Sequence, residues 1–238
     1  MLNRRRTLTA TICAALLAAA AARSASIRVS PITLDFAAGR HAGVLTLTNR
    51  GDHPASVQLR VVRWTEVDGD DRLVPTDDVV ASPPITTLPG GSDQLVRIVR
   101  VRPGAADGEE AYRVLVDELP DPSEQRPGEV LLVMRQSLPV FFNDRAPAKP
   151  DLSWAIEPGT GGARLVASNA GGRRLRISEL KLLDRSGSVL YALPGLAGYV
   201  LARSSHAWRL PAGDDAHAAA VSADSDLGPI HAELAPAS

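Results

Sequence analysis

The stretch EVLLVMRQSLPVFF, Glu129 to Phe142, decides how the fold is interpreted. Residues 130–134 are apolar at even and odd positions alike, although a strand turns alternate side chains to opposite faces. A strand in an antiparallel sheet with one face in water would alternate apolar and polar residues instead. Both faces of this strand are therefore predicted to be covered, and the question is what covers the second one.

The segments before this stretch predict an all-β domain. Seven strand-like segments, separated by Gly, Pro, Asn and Asp turns roughly every 8–12 residues, indicate an immunoglobulin-like sandwich. The stretch 43–64 is predicted to be a hairpin that turns at residues 49–52, and a second turn is predicted at Val67–Asp70. The other predicted strands lie in residues 26–36, 79–84, 88–101 and 111–120.

A domain boundary is predicted at NDRAPAKPD, residues 143–151, because two prolines and mixed charge are typical of a stiff linker. The N-terminal immunoglobulin-like domain is assigned to residues 26–143 and the linker to 144–150. Residues 151–238 contain shorter strand patterns separated by small residues and glycine, which predict a second, smaller β-sandwich.

The first 25 residues have the layout of a secretory signal peptide. Arg4, Arg5 and Arg6 precede an apolar run of about fourteen residues, which is too short for a membrane-spanning helix. Cleavage is expected between Ala22 and Ser26. It would remove the only cysteine, Cys13, so the mature protein would enter an oxidising compartment without a disulfide.

The charge balance argues against nucleic acid as a partner. Loss of the signal peptide removes four of the 26 basic residues and none of the 27 acidic ones, which leaves a net charge of −5. Nucleic-acid binding needs a basic face instead.

The sequence contains no recognisable catalytic or metal-binding motif, so no enzyme, cofactor or metal site is predicted. The acidic run Asp68–Arg72 lacks the twelve-residue pattern of a calcium loop and is interpreted as a solvated hairpin tip. The five histidines lie far apart without metal-ligand spacing and are interpreted as surface residues: His41, His53, His206, His217 and His231.

Alternation within the opening stretch separates its two faces. We expect Leu131 and Val133 to enter the sandwich core, so the even positions form an apolar row that faces elsewhere: Val130, Leu132 and Met134. Each of these side chains contributes roughly 1.5–3 kcal/mol if it is fully buried. Either the second domain or the 120–128 loop covers the row, or another polypeptide does. Pro139 cannot donate to a ladder and predicts a strand edge or a bulge. An edge would suit strand addition to a partner's sheet.

At this point the sequence resembles the periplasmic pilus-assembly chaperones of chaperone–usher systems. The resemblance spans the mature chain and rests on VSPITLDF, LTLTNRGDHPASVQLRVVRW, SPPITTLPGGSDQLVRIVR, YRVLVDELP and VLLVMRQSLPVFF. It implies two immunoglobulin-like domains in a boomerang arrangement with a cleft between them. It further implies donor-strand complementation, in which Val130, Leu132 and Met134 fill the groove of a pilus subunit before an outer-membrane usher takes the subunit over.

The resemblance departs from the family pattern at the subunit's carboxylate anchor. The usual Arg and Lys positions are Thr33 and Pro139 here, and the phrases SPITLDF and YRVLVDELP look like the divergent archaic branch that serves spore-coat-U-like subunits. A carboxylate still requires a cation, for which Arg113 is the first candidate and Arg135 the second. The resemblance also implies an ion-pair network that sets the interdomain angle, formed by Arg97, Glu109 and Asp226.

Two other functional classes remain to be weighed against the chaperone. A secreted adhesion or carbohydrate-binding sandwich would need an aromatic platform, whereas aromatic residues make up 4% of the chain and are scattered. A secreted enzyme would need a catalytic constellation. The three classes differ in the exposure they require of Val130, Leu132 and Met134 in the free protein. A chaperone needs this row uncovered, whereas the other two classes predict that it is buried within the chain.

Overall fold

The structure is a computed structural model. It describes residues 27–102, 104, 108–120, 133–143, 148–159, 162–213 and 217–234 of the 238-residue chain. These residues form four β-sheets and contain no helix, which confirms the predicted all-β class. No segment of the described chain is a helix long and apolar enough to cross a membrane.

The first pair of sheets contains ten strands. One sheet has the order β1-β3-β8-β6, and the other has the order β2-β10-β9-β4-β5 with β7 also paired to β4. The strands are β1 (Ile27–Ser30), β2 (Leu34–Phe36), β3 (Ala42–Asn49), β4 (Ala55–Val67), β5 (Asp70–Pro75), β6 (Val79–Ser82), β7 (Ile85–Leu88), β8 (Asp93–Arg100), β9 (Glu109–Leu119) and β10 (Arg135–Asn143).

The segment expected to be a hairpin, residues 43–64, crosses the sandwich instead. β3 pairs with β1 and β8, whereas β4 pairs with β5, β7 and β9 in the opposite sheet. Leu45 and Leu47 on β3 and Val57 on β4 are fully buried in one core. The hairpin prediction was wrong because alternation identifies the buried face of a strand and not the strand it pairs with.

The predicted first strand, residues 26–36, divides between the two sheets. β1 pairs antiparallel with β3, and after Pro31 the chain continues as β2, which runs parallel to β10. Proline lacks the N–H that a continuous ladder needs, so the break falls at a residue that cannot extend β1. This crossing places β2 beside the strand formed by the opening stretch of sequence.

The turn predicted at Val67–Asp70 joins β4 to β5. Asp68 and Gly69 both have positive φ, at 56° and 85°, as a two-residue type I′ hairpin turn requires. The tip also contacts β15 (Ser204–Arg209) of the second pair of sheets, where Ala207 N donates to Gly69 O at 2.9 Å. The charged residues of the tip are exposed, as expected of a solvated tip, but Gly69 is buried in a contact that nothing in the neighbouring sequence signals.

The second pair of sheets contains seven strands, in the orders β11-β12-β15 and β14-β13-β16-β17. Residues 189–200 form one continuous strand, which bulges against its neighbour and passes Gly195 and Gly198 at positive φ. The strands are β11 (Leu152–Gly159), β12 (Gly162–Asn169), β13 (Leu175–Asp184), β14 (Val189–Val200), β15 (Ser204–Arg209), β16 (Ala218–Ser225) and β17 (Gly228–Glu233).

Three apolar clusters hold the molecule together. One fills the first sandwich, and a second fills the other around Trp154 and Trp208, whose rings stack 5.7 Å apart. The third joins the two sandwiches and consists of Trp64, Ala111, Phe141, Tyr199 and Leu201. These five residues are called the junction cluster below.

Candidate functional site

The strand β10 has a free edge along part of its length. It pairs with β9 from Arg135 to Asn143, but with β2 only at residues 140–142. Within the described residues, the edge of 135–139 on the β2 side has no strand partner. Pro139 lies at the end of this free edge, where its missing N–H breaks no ladder, which fits the edge position predicted for it.

The two faces of β10 bury different neighbours. The even residues Leu138, Val140 and Phe142 enter the first core, and Phe142 stacks on Phe36 at 4.6 Å. Phe141 points the other way, into the junction cluster, with ring centroids 5.9 Å from both Trp64 and Tyr199. Around Phe141 the second face of the strand is therefore covered by the junction with the second sandwich, whereas Arg135 and Ser137 on that face are exposed.

The first half of the opening stretch is uncovered where the structure describes it. Val133 and Met134 have 50% and 53% of their surfaces exposed, while Glu118 N donates to Met134 O at 3.1 Å and continues the pairing with β9. The expectation that Val133 enters the core was wrong. The even positions of β10 face the first core, and the first of them that is buried there is Leu138, so the core does not extend to Val133. Val130 and Leu132 lie outside the described residues, so the donor row stays a prediction.

Arg113 lies on β9 directly opposite Pro139, on the face that carries the junction cluster. Its guanidinium stacks 3.8 Å from the centre of the Trp64 ring, and its Nη2 lies 3.8 Å from Asp71 Oδ2. Burial lowers the pKa of Arg113, although the nearby Asp71, Tyr199 and Glu66 partly oppose the shift. Among the described residues no group accepts a hydrogen bond from it, so its donors remain available to a ligand.

Arg135, the second candidate anchor, is engaged within its own sheet. It forms an ion pair with Asp117, which also accepts a 2.7 Å bond from Arg60 Nη2. Burial would raise the pKa of Asp117, but hydrogen bonds from Arg135 and Arg60 and their charges hold it below its ordinary value. Arg135 also lies eight positions from Asn143, at the end of β10 remote from the junction, so the geometry favours Arg113.

An ion-pair network crosses the junction beside the cluster. Arg174, which immediately precedes β13, pairs with Glu109 on β9 and donates to Asp35 Oδ2 on β2 at 2.7 Å. Its guanidinium also lies 3.4 Å from the Phe141 ring centre, and Arg173 Nη2 reaches Asp35 Oδ2 at 2.9 Å. The network therefore connects three strands of one sandwich to a single loop of the other.

The two carboxylates of this network have opposite pKa shifts. Burial raises the pKa of Glu109, and the charge and hydrogen bonds of Arg174 only partly oppose it. Burial acts on Asp35 in the same direction, but the hydrogen bonds and charge of Arg174 lower its pKa overall. The difference follows from exposure, because the Glu109 side chain is 2% exposed and that of Asp35 is 34% exposed.

The network differs from the one that the resemblance implied. Glu109 takes part, but Arg97 is an exposed residue of β8, and Asp226 accepts a 3.1 Å bond from Arg176 N within the second sandwich. Neither reaches Glu109, and Arg174 and Asp35 occupy those roles instead. Arg174 was missed because its partners lie 65 and 139 positions away, and adjacent basic residues in a loop look like a solvated pair.

A second polar contact between the sandwiches surrounds His206 on β15. Its Nδ1 lies 3.1 Å from Glu66 Oε1 and 3.8 Å from Asp71 Oδ1. Glu66 Oε2 accepts from Leu201 N at 2.9 Å, and Trp64 Nε1 donates to Asp71 Oδ1 at 2.9 Å. The interpretation of His206 as a surface residue was wrong, since its side chain is 16% exposed and its carboxylate partner lies 140 positions earlier.

A family model named pili and flagellar-assembly chaperone, PapD N-terminal domain, matches residues 26–147. The match includes β1–β10 and covers half of the chain. This chain belongs to the PapD family of pilus-assembly chaperones. The chaperone family predicted from the sequence is thereby confirmed, and with it the immunoglobulin-like architecture of two sandwiches.

Solved structures of pilus chaperones resemble this chaperone over both sandwiches. A chain from the CsuC-CsuE chaperone-tip adhesion subunit pre-assembly complex of the archaic Csu pili of Acinetobacter baumannii is 25% identical. It aligns with a TM-score of 0.71 over 88% of this chain and 98% of that one.

Two further structures share the fold at lower identity. One is from the Salmonella enterica SafA pilin–SafB chaperone complex (20% identity, TM-score 0.63, 90% and 99% covered), and the other is the E. coli chaperone DraB (22%, 0.60, 88% and 97%). Among curated proteins, none matches this sequence.

Proposed function

We propose that this chaperone captures pilus subunits in the periplasm by donor-strand complementation and delivers them to an outer-membrane usher. The observation that carries the proposal is the free edge of β10 at residues 135–139, which continues into the exposed Val133 and Met134. An unpaired strand edge with apolar side chains is an aggregation hazard in a protein that has no partner for it.

The proposed binding mode is strand addition. A subunit that lacks its final strand would pair its own edge with the free edge of β10 and its N-terminal extension. Met134, Leu132 and Val130 would insert into the groove left by the missing strand, at roughly 1.5–3 kcal/mol for each side chain fully buried. The interaction uses main-chain pairing and apolar burial, so it requires no nucleotide.

Arg113 is the proposed anchor for the subunit's C-terminal carboxylate. It lies one strand away from the free edge of β10, opposite Pro139, and its stack on Trp64 fixes the guanidinium plane. A guanidinium binds a carboxylate through two parallel hydrogen bonds. The junction network of Arg174, Glu109 and Asp35 is proposed to fix the angle between the sandwiches, and thereby the distance from the anchor to the second sandwich.

The subunit class and the compartment are proposed from the sequence together with the relatives. The CsuC-CsuE complex belongs to an archaic pilus system, and the phrases SPITLDF and YRVLVDELP resemble that branch. The subunits are therefore proposed to be spore-coat-U-like. Residues 1–25 are proposed to be a signal peptide that directs the chaperone to the periplasm, and they lie outside the described residues.

The domain division is proposed as an N-terminal domain of residues 26–143, a linker of 144–150 and a C-terminal domain of 151–238. The first core uses residues between Ile27 and Phe142, and the second uses residues between Trp154 and Ala223 with flanking apolar residues, which supports this division. Residues 144–147 of the linker lie outside the described part of the chain.

The test is native mass spectrometry of the chaperone purified from the periplasm of its host. The wild type is expected as a one-to-one complex with a small secreted subunit, and the Leu132→Glu/Met134→Glu variant as the free chaperone. Leu196→Glu is the matched control, because Leu196 is an apolar side chain 62% exposed on β14, away from the proposed site. A wild type recovered only as free chaperone, with a donor variant equally folded, would contradict the proposal.

A further inference from the structure

The geometry points to a binding site for a zinc-type divalent cation between the two sandwiches, formed by Glu66, Asp71 and His206. One ligand atom from each residue lies within 4.8 Å of the other two. Glu66 lies near the end of β4 and Asp71 near the start of β5, while His206 is contributed by β15. The inference does not rest on subunit binding, although Asp71 also lies 3.8 Å from the proposed anchor Arg113.

The distances fit tetrahedral coordination. Zinc binds imidazole nitrogen and carboxylate oxygen at about 2.0–2.2 Å, which places neighbouring ligands of a tetrahedron about 3.4 Å apart. The two measured separations from His206 Nδ1, 3.1 Å to Glu66 Oε1 and 3.8 Å to Asp71 Oδ1, lie on either side of that value.

The donor set selects the class of metal. One imidazole with two carboxylates suits zinc and similar d-block cations. Calcium and magnesium prefer oxygen ligands alone, and calcium takes six to eight of them. Glu66 is fully buried and His206 is 16% exposed, whereas Asp71 is 41% exposed. The site therefore opens to solvent at Asp71, where a water molecule could complete the coordination.

Groups outside the three ligands hold them in place. Leu201 N binds Glu66 Oε2 and leaves Oε1 facing His206, and Trp64 Nε1 binds Asp71 Oδ1. The His206 ring packs edge-on against Trp208, with ring centroids 4.8 Å apart. Hydrogen-bonded partners of this kind orient metal ligands and raise affinity.

The backbone holds the two sides of the site in register. Gly69, at the tip of the β4–β5 hairpin, forms a parallel bridge with His206, and Ala207 N donates to Gly69 O at 2.9 Å. The hairpin that carries both carboxylates is thus fixed to the strand that carries the imidazole. A bound cation would link the two sandwiches through side chains where this bridge already links them through backbone.

The charges around the site favour a cation. Two carboxylates lie within 4.8 Å of each other, and Arg113 Nη2 lies 3.8 Å from Asp71 Oδ2. Oδ1 of the same carboxylate faces His206. A divalent cation between Glu66 and Asp71 would relieve their mutual repulsion, while Arg113 would moderate the affinity.

The test uses the mature full-length chaperone, stripped with a chelator and titrated with Zn²⁺ by calorimetry and with Co²⁺ by visible absorption. We expect one Zn²⁺ per chain, a tetrahedral Co²⁺ spectrum and a Zn²⁺-dependent increase in melting temperature. His206→Ala should weaken Zn²⁺ binding by about tenfold or more and abolish the Co²⁺ spectrum. Calcium should not bind.

His53→Ala is the matched control, because it removes an imidazole that also lies beside a carboxylate. His53 Nε2 is 3.5 Å from Asp52 Oδ1, on the surface of the protein. Asp71→Asn, which keeps an oxygen acceptor for Trp64, decides the case if His206→Ala does not fold. No Zn²⁺ binding by the wild type would overturn the inference, and so would binding that survives His206→Ala and Asp71→Asn or disappears with His53→Ala.

Discussion

Replacing Arg113 with Gln is expected to weaken subunit binding by about 10- to 150-fold. The guanidinium is 18% exposed, and among the described residues its nearest charged partner is Asp71, at 3.8 Å and without a hydrogen bond. A carboxylate arriving from a subunit would therefore receive donors that make no competing bond. Hydrogen bonds to a charged group contribute about 1.5–3 kcal/mol, which corresponds to this change in Kd.

The assay is a double-mutant cycle between chaperone and subunit. Wild type and Arg113→Gln are each titrated with a subunit that ends in a free carboxylate and with the same subunit converted by peptide ligation to a C-terminal carboxamide. If Arg113 is the anchor, the carboxamide weakens binding to the wild type but changes binding to Arg113→Gln little. The interaction energy of the cycle then equals most of the single-variant loss.

Arg135→Gln is the control, because Arg135 is an arginine that already pairs with Asp117. Its loss should change the Kd by less than about fivefold, since exposed ion pairs contribute up to about 1 kcal/mol. An interaction energy below about 0.5 kcal/mol for Arg113, or a larger one for Arg135, would refute the argument that a largely buried guanidinium without a hydrogen-bond acceptor marks the anchor.

Three further predictions concern the junction and the sheet around it. Arg174→Met should lower the free energy of unfolding by about 3–5 kcal/mol in urea titrations and broaden the distribution of interdomain angles in X-ray scattering, because it leaves Glu109 buried without its cation; adding Glu109→Gln should restore part of the loss. Gly69→Ala should lower the free energy of unfolding, measured by thermal melts, by about 1–3 kcal/mol, because φ is +85° and the added Cβ would lie 2.6 Å from Ala207 Cβ. Gly91→Ala is the control, since φ there is also positive but no atom lies near the added Cβ. A Gly69→Ala melting temperature no lower than that of Gly91→Ala would contradict the prediction. Asp117→Asn should reduce the loss of stability that the wild type shows between about pH 5 and pH 2. The pKa of Asp117 in the folded protein lies below its ordinary value of 3.8, so the ionised carboxylate stabilises the fold above pH 3.8 and this contribution is lost as the pH falls through the folded pKa. An unchanged acid-denaturation curve would show that the ion pairs of Asp117 with Arg60 and Arg135 are too well solvated to contribute.

Features set by neighbours in sequence were predictable. The turn at Val67–Asp70 follows from the preference of Asp-Gly for positive φ, and the Asp68 and Gly69 angles bear it out. The edge position of Pro139 follows from its missing N–H. Both depend on the chemistry of one or two residues, which the sequence displays directly.

Features set by partners distant in sequence were not predictable from patterning. The period-2 alternation of residues 43–64 is the same whether β3 and β4 form a hairpin or lie in opposite sheets, since Leu45 and Val57 are buried in either case. The same limit applies to the assignment of Val133 to the core, because Leu138–Phe142 is apolar at both parities and conceals which row faces inward.

The polar site was also hidden by sequence distance. Arg174 reaches Asp35 across 139 positions, and His206 reaches Glu66 across 140. Each looks like a surface residue beside its own neighbours, and only the docking of the two sandwiches brings them together. The resemblance correctly placed Glu109 at the junction. Its partner there is Arg174, which lies in the loop before β13 and was not expected.

The opening stretch is apolar on both faces for two different reasons along its length. From Leu138 to Phe142, one face packs into the first core and Phe141 packs on Trp64 and Tyr199, so the second face is satisfied by the chain itself. At Val133 and Met134 the sandwich and the junction have both ended, yet the residues remain apolar and about half exposed. A strand that only needed to complete this fold would become polar where burial stops. Arg135, Gln136 and Ser137 are polar, as that would require, but apolar residues return beyond them at Met134 and Val133. Apolar side chains there, next to an edge that β2 leaves unpaired, are what a partner's incomplete sheet would require.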